Sequence, residues 1–248
     1  MTVRDQMDRA VTIPKLPNRI VSLVPSITEF LIAIGLADQL VGVTKFCIHP
    51  SEIVTKKKRI GGTKNLNLDG IRALQPDLII GNKEENVKEQ ITLLESEFPV
   101  WMSDCNTFDE GIDMMRLIGI LSNKEKEATE LIYAIGKSFD NLNVGKSRTF
   151  LYLIWNDPIY VVGKGTYISS VLEKIGFINA CCGDRYPEWS GEEADIVWLS
   201  TEPFPFKESH IQEFESRFPK SKVQLIDGEM CSWYGSRMLK AAEYFRYL

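Results

Sequence analysis

Short apolar runs alternate with longer segments of helical periodicity along almost the whole chain. Before them, residues 1–19 form a polar arm in which Pro14 and Pro17 oppose helix formation. In the first half the pattern predicts strands at 19–24, 40–44, 77–81 and 100–103, and helices at 26–35, 68–74, 87–98 and 107–121. In the second half it predicts strands at 149–155, 160–165, 195–200 and 222–226, and helices at 167–175, 208–218 and 235–248. Such alternation is typical of parallel sheets covered by helices.

One long helix is predicted at mid-chain, over residues 122–146, because apolar positions there form a single stripe. It would be roughly 30 Å long, close to the width of a small domain. Three helices begin with the spacing of a capping box, at Ser26 and Glu29, Thr107 and Glu110, and Ser122 and Glu125. The segments on the two sides of the long helix resemble each other. We therefore predict an α/β protein of two similar parallel-sheet lobes, 1–121 and 147–248, joined by this helix and enclosing a ligand cleft.

Composition narrows the functional class. A hydrophobic content of 44% and a charged content of 25% are ordinary for a globular protein, and a net charge of −5 argues against nucleic-acid binding. The one basic run, at 56–59, is interpreted as a solvated loop. The chain as written shows no export signal, since its first 20 residues lack an apolar segment. An odd number of cysteines without C-x-x-C spacing indicates no disulfide framework and mildly favours a reducing compartment.

The loops that follow the predicted strands should line a ligand site, because ligands bind beyond the carboxyl ends of parallel strands. These loops carry Trp155, Tyr160, Tyr186, Trp189, Phe204, Phe206, Trp233 and Tyr234. So many rings predict burial of a ligand or of the opposite lobe, although several rings can instead pack at the base of a lobe. Lys45, Lys83 and Arg237 can meet anionic groups of a ligand, and Arg237 can equally form a structural ion pair that bridges the lobes.

No motif of nucleotide binding or catalysis is found: the sequence has no G-x-x-x-x-G-K-[ST], no G-x-G-x-x-G after a strand and no G-x-S-x-G. His49 and His210 are far apart, and Cys47 with His49 lacks an evident third ligand for zinc. We therefore predict no catalytic residue, no metal site and no resident cofactor.

Five segments together resemble the class III substrate-binding proteins of ABC importers, the group that captures cobalamin, ferric siderophores and haem. They are RIVSLVPSITEFLIAIGL, LVGVTKF, GGTKNLNLDGIRALQPDLIIGN, VGKGTYISSVLEKIGF and WYGSRMLKAA. The resemblance covers nearly the whole chain and is greatest to the cobalamin-binding members. It implies two α/β lobes joined by a rigid helix, with the ligand lying in the cleft against aromatic rings.

The resemblance, together with the candidate cations, also implies site residues. The predicted ligand-binding residues are Lys45, Phe46, Asn82, Trp155, Asn156, Pro158, Trp189, Glu229, Trp233 and Arg237. The family carries one acidic residue on the outer face of each lobe that docks onto permease arginines, and Asp69 and Glu192 occupy the matching positions. Asp69 can alternatively cap its helix.

We therefore expect a non-catalytic, monomeric receptor for a corrinoid or an iron chelate, which delivers its ligand to an ABC permease. The resemblance implies a periplasmic or cell-surface location, and the missing export signal leaves a cytoplasmic location open. Two alternatives would use the same cleft. One is a cytosolic α/β enzyme that depends on Asp227 or Glu229, and the other is a protein that sequesters the ligand in the cytosol.

Overall fold

The computed structural model describes residues 1–13 and 15–248, so the prediction made for Pro14 lies outside the described residues. The strands are β1 (Thr2–Arg4), β2 (Ala10–Thr12), β3 (Ile20–Ser22), β4 (Leu40–Val43), β5 (Lys58–Arg59), β6 (Leu78–Asn82), β7 (Val100–Ser103), β8 (Thr149–Trp155), β9 (Tyr160–Val161), β10 (Ile178–Asn179), β11 (Ile196–Ser200) and β12 (Lys222–Ile226). The helices are α1 (Pro25–Ala33), α2 (Ser51–Val54), α3 (Leu68–Leu74), α4 (Lys88–Glu95), α5 (Phe108–Leu121), α6 (Glu125–Phe139), α7 (Tyr167–Lys174), α8 (Glu208–Arg217), α9 (Gly228–Ser232) and α10 (Arg237–Phe245).

The chain divides into two compact units. Unit 1 consists of Met1–Cys105, Asp109–Ala134 and Tyr234–Arg237. Unit 2 consists of Asn106–Phe108, Ile135–Trp233 and Met238–Leu248. The segment Tyr234–Arg237 therefore belongs with unit 1, whereas the sequence pattern groups it with the C-terminal lobe.

Unit 1 is built on a five-stranded sheet in the order β5-β4-β3-β6-β7, in which every pairing is parallel. Its strands are short apolar runs because helices cover a parallel sheet on both faces. Val21, Ile79 and Trp101 are fully buried on these strands, and Phe30 of α1 is equally buried. The parallel α/β sheet predicted for the first half of the chain is confirmed.

Unit 2 is built on a second five-stranded sheet, in which β10, β8, β11 and β12 pair in parallel. The short strand β9 pairs with β8 in the antiparallel direction and lies off this path. Phe150 and Trp198 are fully buried on the strands, with their ring centroids 5.4 Å apart. The predicted α/β class is confirmed for this half too, with β9 as an antiparallel exception.

The interpretation of residues 1–19 as a polar arm is wrong. Strands β1 and β2 pair as an antiparallel hairpin, with Val3 opposite Val11. The buried carboxylate of Asp5 fixes the connection, because it accepts hydrogen bonds from the backbone N–H groups of Met7 (3.0 Å) and Arg9 (2.9 Å). Strands of three residues give too short an alternation of apolar and polar positions to be recognised in the sequence.

The predicted mid-chain helix is shorter than expected. Helix α6 contains 15 residues, which corresponds to about 22 Å. Ser122 does not cap it, because its hydroxyl donates to the carbonyl of Ile118 (2.6 Å) in the preceding helix. The capping box at Ser26 is wrong as well, since α1 begins at Pro25 and its N-cap, Val24, makes no side-chain cap bond. Proline at the first helical position already has the φ angle that a helix requires.

Besides β1 and β2, four further short elements were not predicted, namely α2, β5, β10 and α9, which contain between two and five residues each. Part of the basic run interpreted as a solvated loop is strand β5, which pairs in parallel with β4. Such short elements form because neighbouring strands and loops supply their hydrogen bonds, and this information is absent from local sequence. Within residues 1–13 and 15–248, no helix combines the length and apolarity needed to cross a membrane.

Candidate functional site

In unit 1, Lys45 and Phe46 lie just beyond β4, after the buried Thr44, and are exposed to solvent. Phe46 is 50% exposed, which is unusual for a large apolar ring. The Lys45 ammonium lies 5.0 Å from the centroid of this ring, within the range of a cation–π contact. The pair can therefore offer an apolar surface and a positive charge to the same ligand.

Asn82 ends β6 and is buried, with 3% of its surface exposed. Its side-chain oxygen accepts hydrogen bonds from the backbone N–H groups of Glu84 (2.9 Å) and Glu85 (3.0 Å). Its side-chain nitrogen donates to the hydroxyl of Ser103 (3.0 Å). These bonds hold the turn after β6 and favour a structural role, and ligand contact by Asn82 stays a prediction.

The other two cations considered for anionic ligand groups are engaged with carboxylates of unit 1. The guanidinium Nε of Arg237 donates to Glu29 Oε2 at 2.8 Å, and the two side chains are only 4% and 10% exposed. Lys83 Nζ donates to Asp104 Oδ2 at 2.6 Å near the surface. The burial of Arg237 favours the structural ion pair over a ligand contact, and its predicted ligand role remains untested.

In unit 2, a chain of aromatic rings leads from the surface into the core. Trp155, at the end of β8, is 43% exposed and packs edge-on against Phe204, with ring centroids 5.6 Å apart. Phe204 lies 4.7 Å from Phe206, which lies 5.4 Å from Phe214. Phe206 and Phe214 are buried at 2% and 0% exposure. Phe206 thus packs inside the unit, as one of the two alternatives expects, whereas Trp155 presents a supported ring to solvent and its contact with a ligand stays a prediction.

Trp189 is half-buried against the same core, with its ring centroid 4.7 Å from that of Phe218. Its indole N–H donates to the backbone carbonyl of Glu192 at 3.0 Å. The Glu192 carboxylate accepts hydrogen bonds from the backbone N–H (3.0 Å) and hydroxyl (2.9 Å) of Ser190. Partial burial acts to raise the pKa of Glu192, but these hydrogen bonds outweigh it and leave the pKa below the ordinary range. Glu192 is therefore a charged group held by its own turn, and its permease contact stays a prediction.

Asn156 and Pro158 lie in the turn between β8 and β9. Pro158 is exposed, whereas the side-chain oxygen of Asn156 is buried and has no hydrogen-bond partner among the described residues. A buried acceptor without a donor costs about 1–3 kcal/mol. A donor group of a ligand that reached Asn156 would remove this cost.

Glu229 and Trp233 lie at the two ends of the short helix α9, and both are half-buried. Asp227 is the N-cap of this helix, and its Oδ1 accepts a hydrogen bond from the backbone N–H of Met230 at 3.3 Å. The carboxylate of Asp227, which the enzyme alternative considered as a catalytic group, therefore stabilises the start of α9.

Asp69, the predicted docking residue of unit 1, lies in the first turn of α3 with 93% of its side chain exposed. It accepts a hydrogen bond from Arg72 Nη1 at 2.9 Å. The alternative that Asp69 caps the helix is wrong, because Asn67 is the N-cap and its Oδ1 accepts from the backbone N–H of Gly70 at 2.9 Å. The carboxylate of Asp69 is accordingly open to a partner, and docking remains a prediction.

No group of three His, Cys, Asp or Glu side chains that can hold a metal ion occurs within residues 1–13 and 15–248. Cys105 and Cys231 are buried, and desolvation raises the pKa of both thiols above their ordinary value. A buried, protonated thiol is a poor nucleophile and a poor metal ligand.

Each of the two units is an α/β unit built on a mainly parallel sheet, and aromatic rings are exposed near the carboxyl ends of the strands. This arrangement is typical of ligand-binding proteins in which loops on a rigid scaffold contact the ligand. Residues 20–203 match the family described as periplasmic binding protein, and the chain belongs to that family. The resemblance inferred from the sequence is confirmed.

Two curated relatives and one solved structure are similar to this chain. The chain is 30% identical over 198 residues to the "Uncharacterized ABC transporter substrate-binding lipoprotein YvrC" of Bacillus subtilis (strain 168), covering 73% of this chain and 60% of that protein. It is 26% identical over 243 residues to the vitamin B12-binding protein of Pectobacterium carotovorum subsp. carotovorum (strain PC1), covering 92% of this chain and 87% of that protein. The crystal structure of the periplasmic vitamin B12 binding protein BtuF of Vibrio cholerae shares the fold, with a TM-score of 0.78 at 22% identity over 94% of this chain and 96% of that chain.

Proposed function

We propose that the chain is a solute receptor that binds a corrinoid or an iron chelate and delivers it to an ABC importer. Membership of the periplasmic binding protein family supports this function. The observation that carries it is the half-exposed Trp155 at the carboxyl end of β8, supported from behind by Phe204.

The proposed contacts combine apolar area with a small number of polar groups. In unit 2, Trp155 supplies a flat exposed ring, and the neighbouring Asn156 and Pro158 are the predicted further contacts. In unit 1, Phe46 supplies a second exposed ring, and Lys45 supplies a cation for carboxylate or phosphate groups. The Trp155 ring is already packed against Phe204 on one side, so little conformational entropy is lost when a ligand covers the other side.

We further propose a periplasmic or cell-surface location and a monomeric receptor. The proposed docking residues are Asp69, whose side chain is 93% exposed and bonded to Arg72, and Glu192, which is bonded to Ser190 in its own turn. No catalytic function is proposed, since the family is one of binding proteins and Asp227 caps a helix.

The test is a titration of the purified protein with cyanocobalamin, cobinamide, haemin and a ferric siderophore, measured by isothermal calorimetry. Saturable binding of one of these at micromolar concentration or below is the expected result. Turnover of the bound compound would instead favour an enzyme. The absence of saturable binding for all four would contradict the proposed ligand class.

A further inference from the structure

Arg59 contacts the loop that carries the two predicted ligand residues of unit 1. Its Nη1 donates hydrogen bonds to the backbone carbonyls of Thr44 and Cys47, both at 2.8 Å. These two carbonyls lie on either side of Lys45 and Phe46 in the sequence. A single guanidinium nitrogen with two protons thus holds both ends of the exposed dipeptide.

Contacts with buried residues of unit 1 also hold the backbone of this loop. The buried Cys47 sulfur lies 3.1 Å from the hydroxyl of Thr28 and 3.2 Å from that of Thr44. Desolvation by burial raises the pKa of the Cys47 thiol, so the group stays neutral in this network. The backbone N–H of Lys45 donates to the carbonyl of Gly61 at 2.8 Å. The loop is therefore rigidly attached to unit 1 while its Phe46 ring remains exposed.

The ring also has a close neighbour on the chain that follows β5. A Cβ atom added at Gly62 would lie 3.2 Å from Cε2 of Phe46, which is closer than ordinary van der Waals contact. The position of the ring thus depends on two features outside the loop, the Arg59 hydrogen bonds and the missing side chain of Gly62.

We propose that Arg59 is a positioning residue for ligand binding, which acts by holding the Phe46 ring where the ligand meets it. This inference rests on the proposed function, because Phe46 is taken as a ligand contact. Arg59 itself need not touch the ligand. Without its two hydrogen bonds the loop samples more conformations, and ligand binding must then restrict them at a cost in affinity.

The test compares cyanocobalamin affinities, measured by calorimetry, for the wild type, Phe46→Ala, Arg59→Met and the double variant. Phe46→Ala is expected to weaken binding by about fivefold or more, and Arg59→Met by about threefold or more. In the Phe46→Ala background, Arg59→Met should have a clearly smaller effect than in the wild type, because residues that act through one contact are not additive and only Lys45 of the dipeptide remains for Arg59 to position. Lys58→Met is the matched control, since it removes the same charge from the neighbouring position of β5 and should leave the affinity unchanged.

If Arg59→Met is poorly folded, Arg59→Lys takes its place in the same comparison, because it keeps the charge but has no guanidinium nitrogen to bridge the two carbonyls. Two further measurements test the position of the ring and the mobility of the loop separately. Gly62→Ala leaves the Arg59 hydrogen bonds in place and pushes on the ring, so it should weaken binding in the wild type and have no effect in the Phe46→Ala background. Hydrogen–deuterium exchange of the ligand-free protein should accelerate over residues 44–48 in Arg59→Met and not in Lys58→Met.

The possible results distinguish a failure of the positioning role of Arg59 from a failure of the proposed ligand-binding function. If Phe46→Ala binds as the wild type does, Phe46 is not a ligand contact and the inference is overturned with it. If Phe46→Ala weakens binding and Arg59→Met does not, or if Arg59→Met weakens it equally in both backgrounds, only the positioning role is overturned. If neither cyanocobalamin, haemin nor a ferric siderophore binds the wild type, the proposed function and the inference both fail.

Discussion

Replacement of Trp155 by alanine is the most direct perturbation of the proposed ligand surface. A tryptophan side chain can bury up to about 250 Å². Since 43% of Trp155 is exposed, roughly 100 Å² remains for a ligand to cover. At about 25 cal/mol per Å², covering half to all of this area contributes about 1.2–2.5 kcal/mol. The expected loss of affinity in Trp155→Ala is therefore roughly 7- to 60-fold.

The fold should survive this change. Trp155→Ala removes an edge-on contact with Phe204 that is worth about 0.5–1.5 kcal/mol, while Phe206 and Phe214 keep their own packing. Calorimetric titration with cyanocobalamin measures the affinity, and urea unfolding measures the stability. Trp155→Phe should retain part of the affinity, and Tyr247→Ala, which removes an exposed ring beyond α10, should retain all of it. An unchanged dissociation constant in Trp155→Ala would refute the assignment of this ring to the ligand.

Three further predictions concern stability and are measured by urea unfolding. Glu29→Gln should lower the free energy of unfolding by about 3–5 kcal/mol, because the buried Arg237 guanidinium loses its carboxylate, and Arg237→Met in the same chain should recover part of the loss. Phe214→Ala should cost about 3–5 kcal/mol, because its ring is fully buried in the unit 2 core. The pKa of Asp195 is lowered below its ordinary 3.8 by hydrogen bonds from the backbone N–H and hydroxyl of Thr149. The stabilisation from these bonds is complete above pH 3.8 and is lost as the pH falls through the lower folded-state pKa. The difference in the free energy of unfolding between the wild type and Asp195→Asn should therefore become smaller as the pH falls below 3.8.

Each of these predictions has a result that would contradict it. Equal stability of Glu29→Gln and the wild type would mean that the buried ion pair contributes nothing. A loss below about 1 kcal/mol for Phe214→Ala would mean that the core relaxes around the missing ring. A difference between the wild type and Asp195→Asn that stays constant from pH 6 to pH 3 would mean that Asp195 has the same pKa in the folded and unfolded states.

Elements with a clear apolar period could be predicted from the sequence with correct bounds. They include α3 at Leu68–Leu74, β7 at Val100–Ser103, β8 at Thr149–Trp155 and β12 at Lys222–Ile226. The hairpin of β1 and β2 and the short helix α9 could not be predicted, because elements of three to five residues complete too few periods. The capping boxes at Ser26 and Ser122 failed because a short spacing motif occurs by chance, and tertiary contacts decided where each helix begins.

The candidate site likewise contains residues that could be identified from the sequence and residues that could not. Loop position and residue type identified Trp155, and the family resemblance implied Phe46; the structure leaves both rings exposed. The same criteria also selected Asn82 and Arg237, whose polar groups are buried and bonded within unit 1. Arg59 was missed, because it ends a basic run that is indistinguishable from a solvated loop, and its partners are carbonyl groups that carry no sequence signal.

The sequence by itself determined the α/β class, the order of the longer strands and helices and membership of the binding-protein family, because apolar periodicity and family motifs are properties of the chain read in order. Only the tertiary structure decided which side chains are available to a ligand. Exposure and hydrogen bonding depend on residues far apart in the sequence, as with Arg237 and Glu29, or with Trp155 and the rings behind it. A polar side chain after a strand end can hold its own loop or face solvent, and the choice depends on whether folding brings it a partner.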